Sequence, residues 1–332
     1  MFSGIGECLT VCNATTGLMI AIRQAIESRP ASRRRFALMP SFTFAAAAQA
    51  AKWNRLTPLF CDIDESDWSA DKASEQRLLE KYHDQIAVVM PYATFGSSID
   101  LEWYEEIRRT YGIPVIVDAA ASLGTLAEDG RGFGTGFSGA VIFSMHVTKS
   151  FSTAEGGLIY SADPSLIQTL RSMSNFGFGE SRSATRMGLN GKMSEVSALL
   201  ANLRLEDFDA VMERRSHLVE LYRHALPELR FQRVRTHRQA HQFTSTLLPR
   251  EAAAHRAEIQ AEMRRRGVDS AHYFSPHVAE QEYFRRSAEL ASLPVTNDVA
   301  ARALTLPLYD TMTEEEVQEV ACAVKAALAL TL

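Results

Sequence analysis

The chain has 332 residues, of which 46% are hydrophobic and 23% charged, and its net charge is −5. That length allows two domains, or one large domain with an appendage, in a balance ordinary for a globular protein. There is no basic block, no apolar run long enough to span a bilayer and no signal-peptide pattern at Met1-Phe2-Ser3-Gly4, which argues against nucleic acid, membrane and secretion.

In chain order, residues 15–28 have helical spacing, with Leu18, Ile22 and Ile26 on one face. Arg33-Arg34-Arg35 reads as a solvated loop ahead of a short strand at 36–39. Pro40-Ser41-Phe42-Thr43-Phe44 then leads into an alanine-rich helix ending near Trp53. Continuous apolar runs follow at 58–61, 86–90, 114–117 and 140–145, with a helix at 101–111 among them and another strand at 157–161. Apolar runs separated by helices predict an α/β fold: a largely parallel, helix-flanked sheet buried on both faces. Ligands of such sheets gather at the carboxyl ends of the strands. A long helix over 192–226 leads away to a smaller α+β part. This part has a strand at 243–248, a helix at 251–266 stopped by Gly267, and a last helix from Thr313 to about 330. Thr313 and Glu316 are spaced as a capping box. The expected division is a large domain over 1–205 and a small one over 206–332, packed closely.

One stretch carries the clearest chemical signal. In Phe143-Ser144-Met145-His146-Val147-Thr148-Lys149 a strand runs into a polar turn holding a lysine, and Glu155-Gly156-Gly157 begins the next strand. An ammonium with a reference pKa of ~10.4 loses its proton readily when desolvated, which suits Schiff-base chemistry. The plainer reading is a lysine snorkelling to solvent. Asp118 ends a buried strand and is followed by the small residues Ala119, Ala120, Ala121 and Ser122. A carboxylate there has room to meet a flat ligand edge-on and to keep a ring nitrogen protonated. Asn13-Ala14-Thr15-Thr16-Gly17 lies where a loop becomes a helix, and its N–H groups and hydroxyls suit a phosphate. Phe44 offers a face for a planar ring, and Ser144 a hydroxyl for the same phosphate. Singly, Asp118 and Thr15 also read as helix caps and Phe44 as core. Together they are the parts that pyridoxal 5'-phosphate (PLP) requires.

The order of these parts resembles the DegT/DnrJ/EryC1/StrS family of PLP-dependent sugar aminotransferases, over nearly the whole chain. Asn13-Ala14-Thr15-Thr16-Gly17-Leu18 resembles its Ser-Gly-Thr-Ala-Ala-Leu segment, and Pro40 to Phe44 matches Pro-Ser-Phe-Thr-Phe. Phe60-Cys61-Asp62-Ile63-Asp64, Val117-Asp118-Ala119-Ala120 and Ser144 to Lys149 have counterparts in order. So do Gly188-Leu189-Asn190-Gly191-Lys192-Met193-Ser194-Glu195 and Leu304-Thr305-Leu306-Pro307-Leu308-Tyr309. The resemblance implies the fold-type-I PLP-dependent transferase architecture; the cytoplasmic location is expected from the thiols and the lack of a signal pattern. It implies Lys149 as the Schiff-base lysine, Asp118 on the pyridine nitrogen, Phe44 stacked on the ring, and Ser144, Thr15 and Thr16 on the phosphate. It also implies a homodimer with shared active sites, Asn190 reaching the phosphate of the neighbouring subunit. The implied reaction moves an amino group from an amino acid, glutamate, to a nucleotide-linked keto-deoxysugar.

The chain departs from the family pattern in two places. Ala121 stands where the family commonly has Gln or His near the cofactor's phenolic oxygen, and the family's N-terminal segment is largely missing before Met1-Phe2-Ser3. Three rivals follow. A sugar dehydratase on this scaffold would have histidine in place of Lys149. An aminocyclitol aminotransferase would use the same machinery. A non-catalytic regulatory homologue would retain the fold alone.

Other motifs have plainer readings. Gly134-Thr135-Gly136-Phe137-Ser138-Gly139 precedes a strand, whereas a dinucleotide fingerprint follows one. His237 and His241 lack a third metal ligand nearby, and Cys8 and Cys12 lack a second pair. Cys8, Cys12, Cys61 and Cys322 read as buried thiols of a reducing compartment, where the sequon Asn13-Ala14-Thr15 has no meaning. His272-Tyr273-Phe274 and His277 read equally as core or as substrate contacts, and His146 as a structural hydrogen-bonding group ahead of a contact to substrate or cofactor.

Overall fold

The computed structural model describes residues 2, 4–30 and 33–331; Met1, Ser3, Ala31, Ser32 and Leu332 lie outside the described residues. The first half alternates strand and helix: β1 (Glu7–Val11), α1 (Ala14–Ser28), β2 (Phe36–Pro40), α2 (Ala45–Trp53), β3 (Thr57–Cys61), α3 (Lys72–Tyr82), β4 (Ile86–Val89), α4 (Leu101–Tyr111), β5 (Ile116–Asp118), β6 (Ala140–Ser144), β7 (Gly157–Ser161) and α5 (Pro164–Met173). The second half holds α6 (Glu195–Ala225), β8 (Arg230–Phe231), β9 (Thr244–Leu247), α7 (Arg256–Arg265), α8 (Glu282–Arg285), β10 (Glu289–Leu290), α9 (Pro294–Arg302), β11 (Ala303–Leu306) and α10 (Glu314–Thr331).

The strands hydrogen-bond in the orders β1-β7-β6-β5 and β10-β3-β2-β4. The parallel bridges Val89↔Val115 and Tyr92↔Asp118 join the two sets into one sheet. Among the described residues, only the β1–β7 and β6–β7 pairs of this sheet are antiparallel, so the sheet is mostly parallel, as the continuous apolar runs predict. One face buries Leu18 and Ile22 of α1, Ala48 and Ala51 of α2, and Ile167 and Leu170 of α5. The other buries Leu78 and Leu79 of α3, Ile107 of α4, and Phe208 and Met212 of α6. The alanine run of α2 is used for close approach, with Ala47, Ala48, Ala50 and Ala51 all buried.

The later residues build a second core, in which Leu218 and Tyr222 of α6, Ile259 and Met263 of α7, and Val317 and Val324 of α10 pack over the three-stranded sheet β11-β9-β8. One piece of this half returns to the large sheet: β10 pairs in parallel with β3. Thr313 and Glu316 form the predicted reciprocal cap, with Thr313 N donating to Glu316 at 2.7 Å and Glu316 N to Thr313 Oγ1 at 3.2 Å. Two boundaries differ from expectation. The long helix begins at Glu195 because Ser194 Oγ accepts from Ser197 N at 3.1 Å and caps it there. Residues Arg250–His255 wind as a 3₁₀ helix before α7 starts, a common tightening at a helix entrance. The cysteines also correct expectation: all four are free, but only Cys61 is buried, Cys12 is half-buried, and Cys8 and Cys322 are exposed.

Glu75 of α3 is fully buried among these apolar layers and accepts from Trp103 Nε1 at 2.9 Å and from the Tyr104 hydroxyl at 3.2 Å. Burial pushes its pKa up to about 7 in spite of both donors. A carboxyl whose folded pKa lies above its unfolded value holds its proton more tightly when folded. Its contribution is therefore complete below the unfolded pKa and is lost as pH rises towards about 7. Glu75→Gln keeps an acceptor for Trp103 and cannot ionise. It should flatten the fall in urea midpoint across that window, measured at half-unit pH intervals. An unchanged slope would place the titration elsewhere.

Candidate active site

Asp118 is the last residue of β5, and Lys149 lies in the turn after β6, the neighbouring parallel strand. Both therefore sit at carboxyl ends of the sheet. Asp118 is only 3% exposed, and its Oδ1 accepts from Ala120 N at 3.1 Å. Desolvation raises its pKa to about 6, against the pull of that hydrogen bond and of the Lys149 charge. Lys149 is half-buried, and desolvation lowers its amine to about 8 against the opposing pull of Asp118. The two charges influence each other, yet no direct ion pair joins them among the described residues. The turn carrying Lys149 is pinned by Lys149 N donating to His146 O, Met145 N to Gly156 O and Thr153 N to Met145 O, each at 2.9 Å.

The start of α1 is brought to the same place. Asn13, not Thr15, is its cap: Asn13 Oδ1 accepts from Thr16 N at 2.8 Å, leaving Thr15 exposed and Thr16 half-buried. Gly157, the cross-strand partner of Ser144, makes this approach possible. A Cβ there would lie 2.7 Å from Asn13 C and 2.8 Å from Ala14 N, so a side chain would push the helix start away. Ser144 is buried, and its Oγ accepts from His146 N at 3.2 Å.

Phe44 just precedes α2 and is 60% exposed, so it is not a core residue. Its ring lies 6.4 Å from that of Phe274, which lies 6.0 Å from Tyr92, and the Tyr92 hydroxyl is raised by burial and by the Asp118 charge. Asn190 is exposed, and its Oδ1 accepts from Lys192 Nζ at 2.9 Å. Beside it, Gly191 O accepts from Cys12 N at 2.7 Å, so this segment runs past the start of α1 in its own chain. Ala121 is buried and brings no polar group to the site.

The sequence reading missed Gln242 and its support. Gln242 Oε1 accepts from Lys149 Nζ at 2.8 Å, although the two are far apart in the chain. The segment ahead of it is tied to loops of the large sheet, with Ala240 N donating to Thr125 Oγ1 at 3.0 Å and Gln239 Nε2 to Phe95 O at 3.3 Å. Gly96, at φ +89°, makes room for it, because a Cβ there would lie 1.8 Å from Ala240 O. The histidines separate by role. His277 is buried between Ser41 Oγ at 2.7 Å and Asn297 Oδ1 at 2.9 Å, a structural bridge. His146 bonds Thr148 Oγ1 at 3.1 Å within its own turn. His272 bonds Gln260 Oε1 at 3.1 Å, while Tyr273 stacks on Phe243 at 5.0 Å and Phe274 joins the aromatic wall. Burial, with Arg223 and Arg215 nearby, lowers His241 to about 3. No group of three metal-ligating side chains occurs among the described residues, and no helix there is long and apolar enough to cross a membrane.

A buried carboxylate, a desolvated amine, a helix entrance carrying two threonine hydroxyls and an exposed aromatic face form a donor set that suits PLP. Known proteins agree with this fit. The model of the DegT/DnrJ/EryC1/StrS aminotransferase family matches residues 1–325. Protein Rv3402c of Mycobacterium tuberculosis H37Rv is 33% identical over 324 residues, spanning 96% of this chain and 77% of its own length. The dTDP-4-amino-4,6-dideoxy-D-glucose transaminase of Escherichia coli is 27% identical, over 96% of this chain and 85% of its own. A candidate PLP-dependent aminotransferase of Bacillus cereus ATCC 10987, known from a crystal structure, superimposes with a TM-score of 0.92 at 36% identity, over 98% of this chain and 87% of its own. The chain belongs to the DegT/DnrJ/EryC1/StrS aminotransferase family and is a PLP-dependent aminotransferase.

The Gly96 contact gives a test of how the site is held. Gly96→Ala combines a positive φ with a clash against backbone, and should destabilise the protein by at least about 2 kcal/mol. Thermal unfolding should show a lower midpoint, and limited proteolysis should show faster cleavage near residue 240. A variant of wild-type stability would mean that the 239–242 segment is loosely held.

Proposed function

We propose that the chain transfers an amino group from an amino acid, glutamate, to a nucleotide-linked keto-deoxysugar. The observation that carries the site assignment is the buried Asp118 set close to the desolvated Lys149 at adjacent strand ends. The sugar-nucleotide class is supported by the activity named for the Escherichia coli relative. When bound, PLP supplies an electron sink for the negative charge left as a proton leaves the amino-bearing carbon. The entrance of α1, with Thr15 and Thr16, and the hydroxyl of Ser144 hold its phosphate. Asp118, ionised near neutral pH, keeps the ring nitrogen protonated, and Phe44 covers a face of the ring. Lys149 would anchor the cofactor and, when free, would carry a proton between the amino-bearing carbon and the cofactor carbon the lysine had held, a task suited to an amine brought to about 8.

We read the working unit as a homodimer with shared sites. Val196, Leu199 and Leu203 are exposed at helical spacing along the first turns of α6, with Leu200 beside them and Met187 in the preceding segment. An apolar stripe of this kind calls for a covering surface. A second copy related by a two-fold axis would supply one and would bring Asn190 to the neighbouring phosphate.

Lys149→Ala should lose turnover by at least about 10²–10⁴-fold and should no longer be fixed to PLP by borohydride. Fixation to another lysine would overturn the assignment. Asp118→Asn should bind the cofactor nearly as well but slow the half-reaction with glutamate, followed by absorbance; an unimpaired half-reaction would reduce Asp118 to a structural strand end. Mixed dimers of Lys149→Ala and Asn190→Asp chains should regain one intact site each. No recovery after confirmed subunit exchange would place the whole site within one chain.

A further inference from the structure

Gln242 has no role in the scheme above, yet its Oε1, at 2.8 Å, accepts the one hydrogen bond that the Lys149 amine makes among the described residues. Two contacts set the direction of its amide. The Lys149 ammonium offers only donors, so the oxygen faces it, and Gln242 Nε2 donates to Thr148 Oγ1 at 3.1 Å. The residue is 5% exposed and leaves its side chain little freedom. Its backbone is clamped as well. Arg215 of α6, itself buried, donates from Nη1 to His241 O at 3.0 Å and to Gln242 O at 3.3 Å, while its Nε is held by Asp310 at 2.7 Å. A buried amide fixed at both ends, on a backbone tied by an ion pair, is more support than filling space requires.

We propose that Gln242 is a positioning residue for Lys149: it receives the amine whenever that amine has no covalent partner and holds it beside Asp118. This rests on Lys149 being the cofactor-bearing lysine. A neutral acceptor suits the task, because it orients the amine without adding a second negative charge to that of Asp118. A carboxylate at the same place would hold the amine as ammonium and hinder it from taking up a proton. The charged and titratable groups around the amine are few. Asp118 approaches from β5 and is the charge that acts on the amine, and His146 and Glu155 lie 3.6 Å from each other in its own hairpin. The Gln242 segment sets the neutral amide against the amine, while its His241 and the Arg215–Asp310 pair bind at the backbone behind it.

The test uses the full-length protein freed of cofactor, with the pH dependence of Lys149 acylation read by peptide mass spectrometry. Gln242→Glu should raise the apparent pKa of Lys149 by about one to three units, and Gln242→Leu should lower it below that of the wild type. Thr148→Val, at an exposed position that leaves the core untouched, frees the amide to turn and should lower it in the same direction as Leu. A purely structural role for Gln242 predicts one pKa in every variant that retains the wild-type circular dichroism, and that result overturns the proposal. Borohydride fixation of PLP in the wild type separates the two ideas. Cofactor fixed elsewhere would defeat the Lys149 reading, whereas cofactor on Lys149 with an unmoved pKa defeats only the role of Gln242.

Discussion

The site depends on the mutual support of Asp118 and Lys149. Each is a charge taken out of water, and an unpaired charge of that kind costs several kcal/mol even after relaxation. Burial alone would neutralise both. Each instead tempers the other, which leaves a carboxyl near 6 and an amine near 8 on either side of neutrality. Were they in direct contact, the ion pair would be tight and neither group would be free for a ligand. Setting them at the ends of adjacent parallel strands keeps them coupled but apart.

The parallel sheet makes this arrangement inexpensive. Register aligns Asp118 with Ile142, so the residues beyond the ends of β5 and β6 emerge side by side without long connections. Ser144 is joined through Gly157 to the entrance of α1 by ordinary strand pairing. Three chemical functions therefore follow from one sheet edge, and the glycine allows the helix to reach it. The aromatic wall of Phe44, Phe274 and Tyr92 is drawn from separate parts of the chain, with Tyr92 next to Asp118 through the parallel bridge between them.

Much of this was legible in the sequence because its signals are local. The apolar runs over 86–90 and 140–145 mark buried strands whatever they pair with, and the Thr313–Glu316 spacing specifies a cap on its own. The lysine turn and the strand-end aspartate were conspicuous for the same reason. β1 was missed because five residues with Cys8 and Thr10 among them carry no continuous apolar run, and their strand state comes from pairing with β7. β10, two residues long, exists only through its partner β3. Gln242 was invisible because nothing near it in sequence marks an amide between Phe243 and His241 as special. Its meaning lies in where the second core delivers it.

That delivery is what the second half of the chain contributes to the chemistry. Arg215 is held in α6 by Asp310, which follows β11, and grips the backbone carbonyls at 241 and 242. On the other side Gly96 and Thr125 receive Ala240 from loops of the large sheet. The segment is thus seized from both cores, and its side chain meets Lys149 between them. The position of Gln242 against Lys149 is therefore set by contacts from both cores, those of Arg215 on one side and of Gly96 and Thr125 on the other.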